Sequence, residues 1–286
     1  VKLKNFLLVT KPGIVVGNVL AVFGGFLYAA GDDGVRLAAL FGVTVGVLFV
    51  IAASCVVNNY LDRGIDSRMR RTAKRPSVTG VIPYRTAILY AAIMYVLGFG
   101  LMLWQTNLLT VAIGLFGAVF YTLVYGLAKR RTHWGTLVGA LPGATPPLAG
   151  YTAATGQLDL AAWLLFAVMV CWQMPHFYAI GVFRLEDYEA AHVPVLPAVR
   201  GLSRTVWEMR LYGLLFVITC YALARWGHAG FMFGTAMVLL GLYWLQPMFS
   251  PHWRGETVAT ARTVFKRSLH VLFGLCFFLA MSHVLL

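Results

Sequence analysis

The 286-residue sequence predicts an all-α polytopic membrane protein of nine transmembrane helices. Three observations lead there. Hydrophobic residues make up 60% of the chain and charged residues only 12%, about half the charged fraction of an ordinary soluble domain. Mean hydropathy is +0.77, and the apolar residues fall in repeated runs near the ~20 residues that a spanning helix needs. The basic residues collect at alternate ends of those runs, as they do in membrane proteins. No polar half sets off a second domain, so residues 1–286 are expected to form one integral-membrane domain.

The spans are placed at 13–30, 37–60, 86–104, 108–128, 135–153, 160–183, 209–226, 228–248 and 267–286. The first, in "VKLKNFLLVTKPGIVVGNVLAVFGGFLYAA", has the basic start and small-residue end of a signal peptide. Its apolar run is long and more spans follow, so it is read as retained. The second carries small residues at four-residue spacing (Gly42 and Gly46), as do the first (Gly13 and Gly17) and the fifth (Gly139 and Gly143). Such spacing lets helices pack closely. The third and fourth are joined by the short "WQTN". The fifth contains "GALPGATPPLAGY", too rich in Pro and Gly for a straight helix, and a kink is expected there beside a cavity. "TGQLD" leads to the sixth and "RWGHAG" joins the seventh to the eighth.

With these spans, one side of the membrane receives Lys2, Lys4 and Lys11, then Arg63, Arg68, Arg70, Arg71, Lys74, Arg75 and Arg85. It also receives Lys129, Arg130 and Arg131, then Arg184, Arg200, Arg204 and Arg210, and finally Arg254, Arg262, Lys266 and Arg267. Only Arg36 and Arg225 are left for the other. The positive-inside rule places the N-terminus in the cytoplasm and, with nine spans, the C-terminus outside. The net charge of +13 is therefore a topology signal rather than a nucleic-acid footprint. Cys55, Cys171, Cys220 and Cys276 are scattered through apolar runs without a CxxC pair, which argues against a disulfide framework or a zinc site.

Ten acidic residues exist. Asp32, Asp33 and Asp159 lie in short outer loops, and most of the rest gather at the cytoplasmic ends of spans two and six. Asn58, Asp62 and Asp66 recur at i, i+4 and i+8. On a helix they fall within an arc of ~80° and a rise of about 12 Å. Such a stripe of oxygen donors suits magnesium, which takes one or two carboxylates, keeps waters and accepts substrate phosphates. The plainer reading is a solvated helix end whose aspartates pair with Arg63, Arg70 and Lys74. The second end, "VFRLEDYEAAHVPVLPAVRG", supplies Glu186, Asp187 and Glu189. Two carboxylate clusters on one membrane face suit metal ions on a polyphosphate, with Arg68, Arg71, Lys74, Arg75, Lys129 and Arg130 taking the remaining charge. Diphosphate leaves readily only once neutralised, and an attached prenyl chain fits an apolar bundle.

"NNYLDRGID" resembles the NDxxDxxxD first motif of the UbiA superfamily of intramembrane prenyltransferases. "TKPGIVVGN", "KRRTHWGTLVGALPGATPPLAGY" and above all "WQMPHFYAIGVFRLEDYEAAHVPVLP" resemble its haem-farnesylating branch. The likeness covers nearly the whole chain. It implies a nine-helix bundle around a central cavity opening near the cytoplasmic face, in a bacterial cytoplasmic membrane. It implies Mg2+-dependent binding of farnesyl diphosphate and transfer of the farnesyl group to a vinyl group of haem B, with hydroxyl addition, giving haem O. A haem A synthase or an oxidase assembly step would then receive the product. The resemblance assigns Asn58, Asp62 and Asp66 to the first metal site and Lys129 to diphosphate, with Asp62, Asp66 and Asp187 as catalytic residues and Glu186 and Asp187 completing the metal ligands. Asn58, Arg71, Lys74, Arg75, Lys129, Arg130, His176, Tyr178 and Glu186 are the expected substrate-binding set. The chain departs from the superfamily at Asn59, where many members have aspartate. It departs again after Asp187, where Ala191 interrupts a DxxxD motif and Glu186 and Glu189 are the available substitutes.

Of the histidines, His228 sits in an outer loop, His252 in a later loop and His270 and His283 in the last span. His133, His176 and His192 remain near the cytoplasmic chemistry. His176 is the candidate for haem iron or propionate, since an intramembrane histidine is functional by default. Hydrogen bonding to a neighbouring helix is the plainer account. Pro175 before it is expected to disturb the helix. Trp172, Phe177, Tyr178 and Tyr151 offer ring faces to an allylic cation, although aromatics in a bundle usually serve packing. The competing readings are a UbiA-type enzyme with a quinone-precursor or chlorophyll-type acceptor and, more remotely, a secondary transporter. The gathering of acids at helix ends rather than at the midplane disfavours transport. The DG…AR…G…D…D pattern of phosphatidyltransferases is not present.

Overall fold

The structure, a computed structural model, describes residues 2–31 and 34–282; Asp32, Asp33, His283 and the end of the ninth predicted span lie outside the described residues. Helices run in the order α1 (Leu3–Val9), α2 (Pro12–Ala30), α3 (Leu37–Leu61), α4 (Arg63–Asp66), α5 (Pro76–Thr79), α6 (Tyr84–Gln105) and α7 (Leu108–Val119). They continue as α8 (Tyr125–Arg131), α9 (Gly135–Gly143), α10 (Thr145–Thr155), α11 (Leu160–Phe183), α12 (Leu185–Ala190), α13 (Leu196–Trp226), α14 (Phe231–Leu245) and α15 (Thr257–Ala280).

Among the described residues, 8 helical stretches are long and apolar enough to cross a membrane. The fifth predicted span is the exception to an unbroken crossing. It is made of α9 and α10, which meet at Ala144 in "LPGATPP". Pro146 and Pro147 bring no backbone N–H, and proline disfavours helical geometry in the residue before it. The break is thus local chemistry, as expected. The nine-helix count holds only approximately: eight long crossings plus one built from two short helices.

The α7–α8 crossing widens into a π turn over Phe120–Val124, where the Thr122 hydroxyl donates back to the Ala118 carbonyl at 2.7 Å. α13 begins well before the predicted seventh span and bends at Gly201, whose φ of 76° lies in the left-handed region that glycine tolerates. α15 likewise starts before the predicted ninth span. α11 runs unbroken through Pro175, so the expected disturbance is absorbed without ending the helix.

α3 packs along α6, α10 along α2, and α11 against α13 and α15. A Cβ on Gly25 would collide with the Pro147 carbonyl oxygen, and one on Gly150 with that of Val22, so α2 and α10 approach at backbone distance. Gly42 and Gly46 face α6, where a Cβ would collide with the Gln105 and Met102 side chains. Gly13 and Gly17, read from their spacing as packing residues, have nothing within 4 Å of a built Cβ and instead border the central cavity. Large apolar side chains such as Leu89, Val96, Leu108, Leu239 and Phe273 point outward, the reverse of a soluble fold and the pattern a lipid-facing surface requires.

Candidate active site

The bundle encloses a cavity of about 740 Å³, within the ~300–1,000 Å³ of small-molecule sites. Its wall has two chemically distinct parts. One is cationic, lined by Lys11, Arg71, Arg75, Lys129 and Arg184, with Asp62 as its acidic lining residue and Asn58 beside it. The other is apolar and aromatic, with Trp172, His176, Phe177, Tyr178, Phe183 and Phe265.

The cationic part is built where α3 ends. Asp62 leaves the helix at φ −86° and ψ 4°, and the short α4 carries the chain to Asp66. Asn58, Asp62 and Asp66 are all buried. Lys129 and Arg130 both donate to the Asp62 carboxylate, Arg130 at 3.2 Å. Lys129 also lies 4.8 Å from the centre of the Tyr125 ring. Arg75 donates to Asp66 Oδ2 at 2.6 Å and to Asn59 Oδ1 at 3.4 Å. Lys11 donates to Asn58 Oδ1 at 3.3 Å. Burial holds the Lys11 ammonium below the usual lysine range; Arg75 and Lys129 push the same way, against Cys55 and Asp62. Crowded, partly desolvated cations of this kind are stabilised by an incoming anion. Among the described residues the buried Asn58 Nδ2 has no partner, leaving a donor on the cavity wall for an acceptor oxygen.

The aspartates therefore pair with cations, but with Lys129, Arg130 and Arg75 rather than with Arg63, Arg70 and Lys74. Among the described residues no three His, Cys, Asp or Glu side chains converge on one point, so an all-protein metal cage is not built. The Asp62 carboxylate and the Asn58 amide oxygen on the cavity wall fit a magnesium ion that takes one or two carboxylates, keeps waters and shares substrate phosphate.

The other expected residues are placed as follows. Asp66 sits behind the cavity wall on Arg75. Arg130 borders a smaller pocket of about 260 Å³ with Arg68 and His192. Lys74 is exposed and outside the cavity lining. Glu186 and Asp187 lie on α12, also outside the lining. Glu186 is exposed, and Asp187 Oδ1 accepts the Arg70 backbone N–H at 3.1 Å. That bond and the apolar contacts of Met69 with Ala191 and Val193 join the loops after α3 and α11. Tyr188, next to Asp187, does line the cavity.

His176 Nδ1 is 2.7 Å from Ser268 Oγ, and its ring stacks on Trp172 at 4.8 Å. A hydrogen bond to a neighbouring helix is therefore present, and the residue still lines the cavity. Tyr121 and Tyr125, stacked at 5.6 Å beside the π turn, border it too. Tyr151 does not; its hydroxyl donates to Asp159 at 2.7 Å.

Several residues of the site were not singled out from the sequence, Arg184 and Tyr188 among them. Lys11 was counted only as a topology charge. Glu208 was counted only among the acids, yet it is 5% exposed and accepts the Tyr178 hydroxyl at 2.6 Å. Glu208 lies in a stretch that also carries Arg200, Arg204 and Arg210, so nothing in the sequence set it apart from an ordinary cytoplasmic helix end.

This sequence and this fold match known proteins. The model of the UbiA prenyltransferase family matches residues 18–282, and the chain belongs to that family of integral membrane proteins. Among its relatives is "Protoheme IX farnesyltransferase 2" of Pseudomonas paraeruginosa, 45% identical over 94% of this chain and 90% of the relative. "Protoheme IX farnesyltransferase" of Aliivibrio salmonicida is 41% identical over 93% and 92%. Solved structures share the fold. A digeranylgeranylglyceryl phosphate synthase superposes with a TM-score of 0.79 at 17% identity, covering 99% of both chains. A UbiA homologue from Archaeoglobus fulgidus bound to DMAPP and Mg2+ superposes with a TM-score of 0.70 at 16% identity, covering 94% of this chain and 99% of that one.

Proposed function

We propose that this protein transfers the farnesyl group of farnesyl diphosphate to a vinyl group of haem B, with hydroxyl addition, to give haem O and diphosphate. The observation that carries the reading is that one cavity combines a cationic mouth with an aromatic inner wall, in a chain 45% identical to a protoheme IX farnesyltransferase. A diphosphate fits the first part, while a prenyl chain and a flat tetrapyrrole fit the second.

Lys11, Arg71, Arg75 and Lys129 bind the diphosphate and offset its charge, as charge-assisted hydrogen bonds do in a water-poor site. The Asn58 amide N–H donates to a phosphate oxygen. Asn58, Asp62 and Asp66 would hold magnesium, whose charge stabilises the leaving diphosphate. Glu186 and Asp187, beside the lining Tyr188, are the second carboxylate pair proposed for the same polyphosphate, and Lys74 and Arg130 are its outlying cations. When the carbon–oxygen bond of farnesyl diphosphate breaks, the bonding electrons leave with the diphosphate. The terminal vinyl carbon then attacks the allylic cation, and water adds to the inner carbon. His176, Trp172 and Tyr178 hold the tetrapyrrole and shield the cation, excluding bulk water from the bond-forming step. The single domain would sit in a bacterial cytoplasmic membrane with its N-terminus inside, releasing haem O to a haem A synthase or to oxidase assembly.

The test is acceptor choice. Purified protein with farnesyl diphosphate and magnesium is offered haem B or an aromatic acid. Farnesylated haem from the first and nothing from the second is expected; a prenylated aromatic acid without any haem product would overturn the proposal in favour of a quinone-type acceptor.

A further inference from the structure

Water addition to the vinyl-derived cation releases a proton, and the reaction as described so far gives that proton no route out. The cationic mouth is a poor acceptor: Asp62 is held by Lys129 and Arg130, and Asp66 by Arg75. His176 gives Nδ1 to Ser268, and its other ring nitrogen is left to the tetrapyrrole that it is proposed above to hold. Among the described residues, Glu208 reaches the cavity wall through a single intermediary. Tyr178 on α11 lines the cavity and is 3% exposed. Its hydroxyl donates to Glu208 Oε2 on α13 at 2.6 Å, so its oxygen lone pairs are free to accept. Glu208 Oε1 accepts from Arg204 Nε at 2.9 Å, and the Arg204 side chain is 51% exposed. Arg204 in turn lies 4.5 Å from the Trp207 ring. The groups facing Glu208 are thus Tyr178 from α11 and Arg204 and Tyr212 from its own helix, with Tyr212 edge-on to Tyr178 at 6.5 Å. The chain of contacts runs from cavity to solvent.

Resting on the haem-farnesylating reading, we infer that Tyr178 and Glu208 form the proton exit for the water whose hydroxyl is added to the vinyl group. The water oxygen bonds to the carbocation carbon and its proton passes to Tyr178 Oη. The phenolic proton moves at the same time to Glu208 Oε2 and is released past Arg204. Tyr178 is unchanged after the cycle, and the hydroxyl, diphosphate and one proton account for every atom. Tyr178 is the catalytic residue here; Glu208 acts through it. Without the relay, the same cation can lose a proton from the adjacent carbon instead, giving an alkene that lacks the elements of water.

Product identity therefore tests the relay where a rate alone would not. Wild type, Tyr178→Phe, Glu208→Gln and Glu208→Asp are compared with haem B, farnesyl diphosphate and magnesium, and products are separated by mass. Tyr178→Phe and Glu208→Gln are expected to lower kcat by about 10²-fold, the lower end of general acid–base effects, with KM for farnesyl diphosphate little changed. Their remaining product should shift from the hydroxylated to the dehydrated form, and Glu208→Asp should restore the hydroxylated product. Variants whose product stays fully hydroxylated, at any rate, overturn the relay alone. Should Tyr178→Phe fail to fold, the Glu208→Gln and Glu208→Asp pair decides on the same product ratio. A wild type that yields no farnesylated haem overturns the underlying reading, and the relay with it.

Discussion

Asn59, where the resemblance leads one to expect aspartate, has a structural role. Its Nδ2 donates to the Val9 carbonyl at 2.7 Å, tying α1 to the end of α3, while its Oδ1 receives Arg75. An aspartate has no N–H to give. Asn59→Asp would leave a buried carbonyl unpaired and set a second carboxylate competing with Asp66 for Arg75. A loss of about 1–3 kcal/mol is expected, read as a lower thermal midpoint in detergent; an unchanged midpoint would mean that the Val9 bond carries no weight. At this scale the sequence was informative where residue type and spacing agreed, as for Asn58, Asp62 and Asp66. It was uninformative where a contact joins distant segments. Nothing near Lys11 in the sequence announces Asn58, which lies 47 residues away, and nothing near Tyr178 announces Glu208.

Among elements, most spans were legible because apolar runs report helix length directly. The first, second, third and sixth predicted spans agree with α2, α3, α6 and α11 to within about two residues. The starts of α13 and α15 were hidden because their first turns, such as "LPAVRGLSRTVWE", are polar on one side and read as loop. The small-residue spacings were legible as a pattern but not as a partner, since spacing alone does not say whether a glycine meets a helix or a cavity. That distinction yields a paired prediction. Gly150→Leu would drive a side chain into the Val22 carbonyl of α2. It should cost about 1–3 kcal/mol or more, seen as lost folded yield and a lowered midpoint in size-exclusion and thermal assays. Gly17→Leu enters open cavity and should leave the midpoint unchanged while suppressing turnover. Equal loss of stability in both would contradict the assignment of their surroundings.

For the whole molecule, the polytopic membrane class was legible from composition and apolar runs, while the orientation proposed from charge asymmetry awaits its own test. The four native cysteines are buried, so an introduced cysteine reports its own side. Ser67 and Gln157 are exposed at opposite ends of the bundle. A membrane-impermeant maleimide should label Ser67→Cys only in inverted vesicles and Gln157→Cys only in spheroplasts; the reverse pattern would invert the proposed orientation. What the sequence could not supply was the cavity's division into a cationic mouth and an aromatic interior, which depends on how α2, α3, α8, α11 and α15 converge. The central claim is that oxygen donors at the end of α3 and cations around them ionise an allylic diphosphate within reach of haem. The most direct measurement is turnover of haem B and farnesyl diphosphate, with and without magnesium, in wild type and Asp62→Ala. The account predicts farnesylated haem only in wild type with magnesium, and at least a ~10²-fold fall in kcat for Asp62→Ala, the scale of losing one preorganised stabiliser of transition-state charge. Undiminished, magnesium-independent turnover by Asp62→Ala would contradict it.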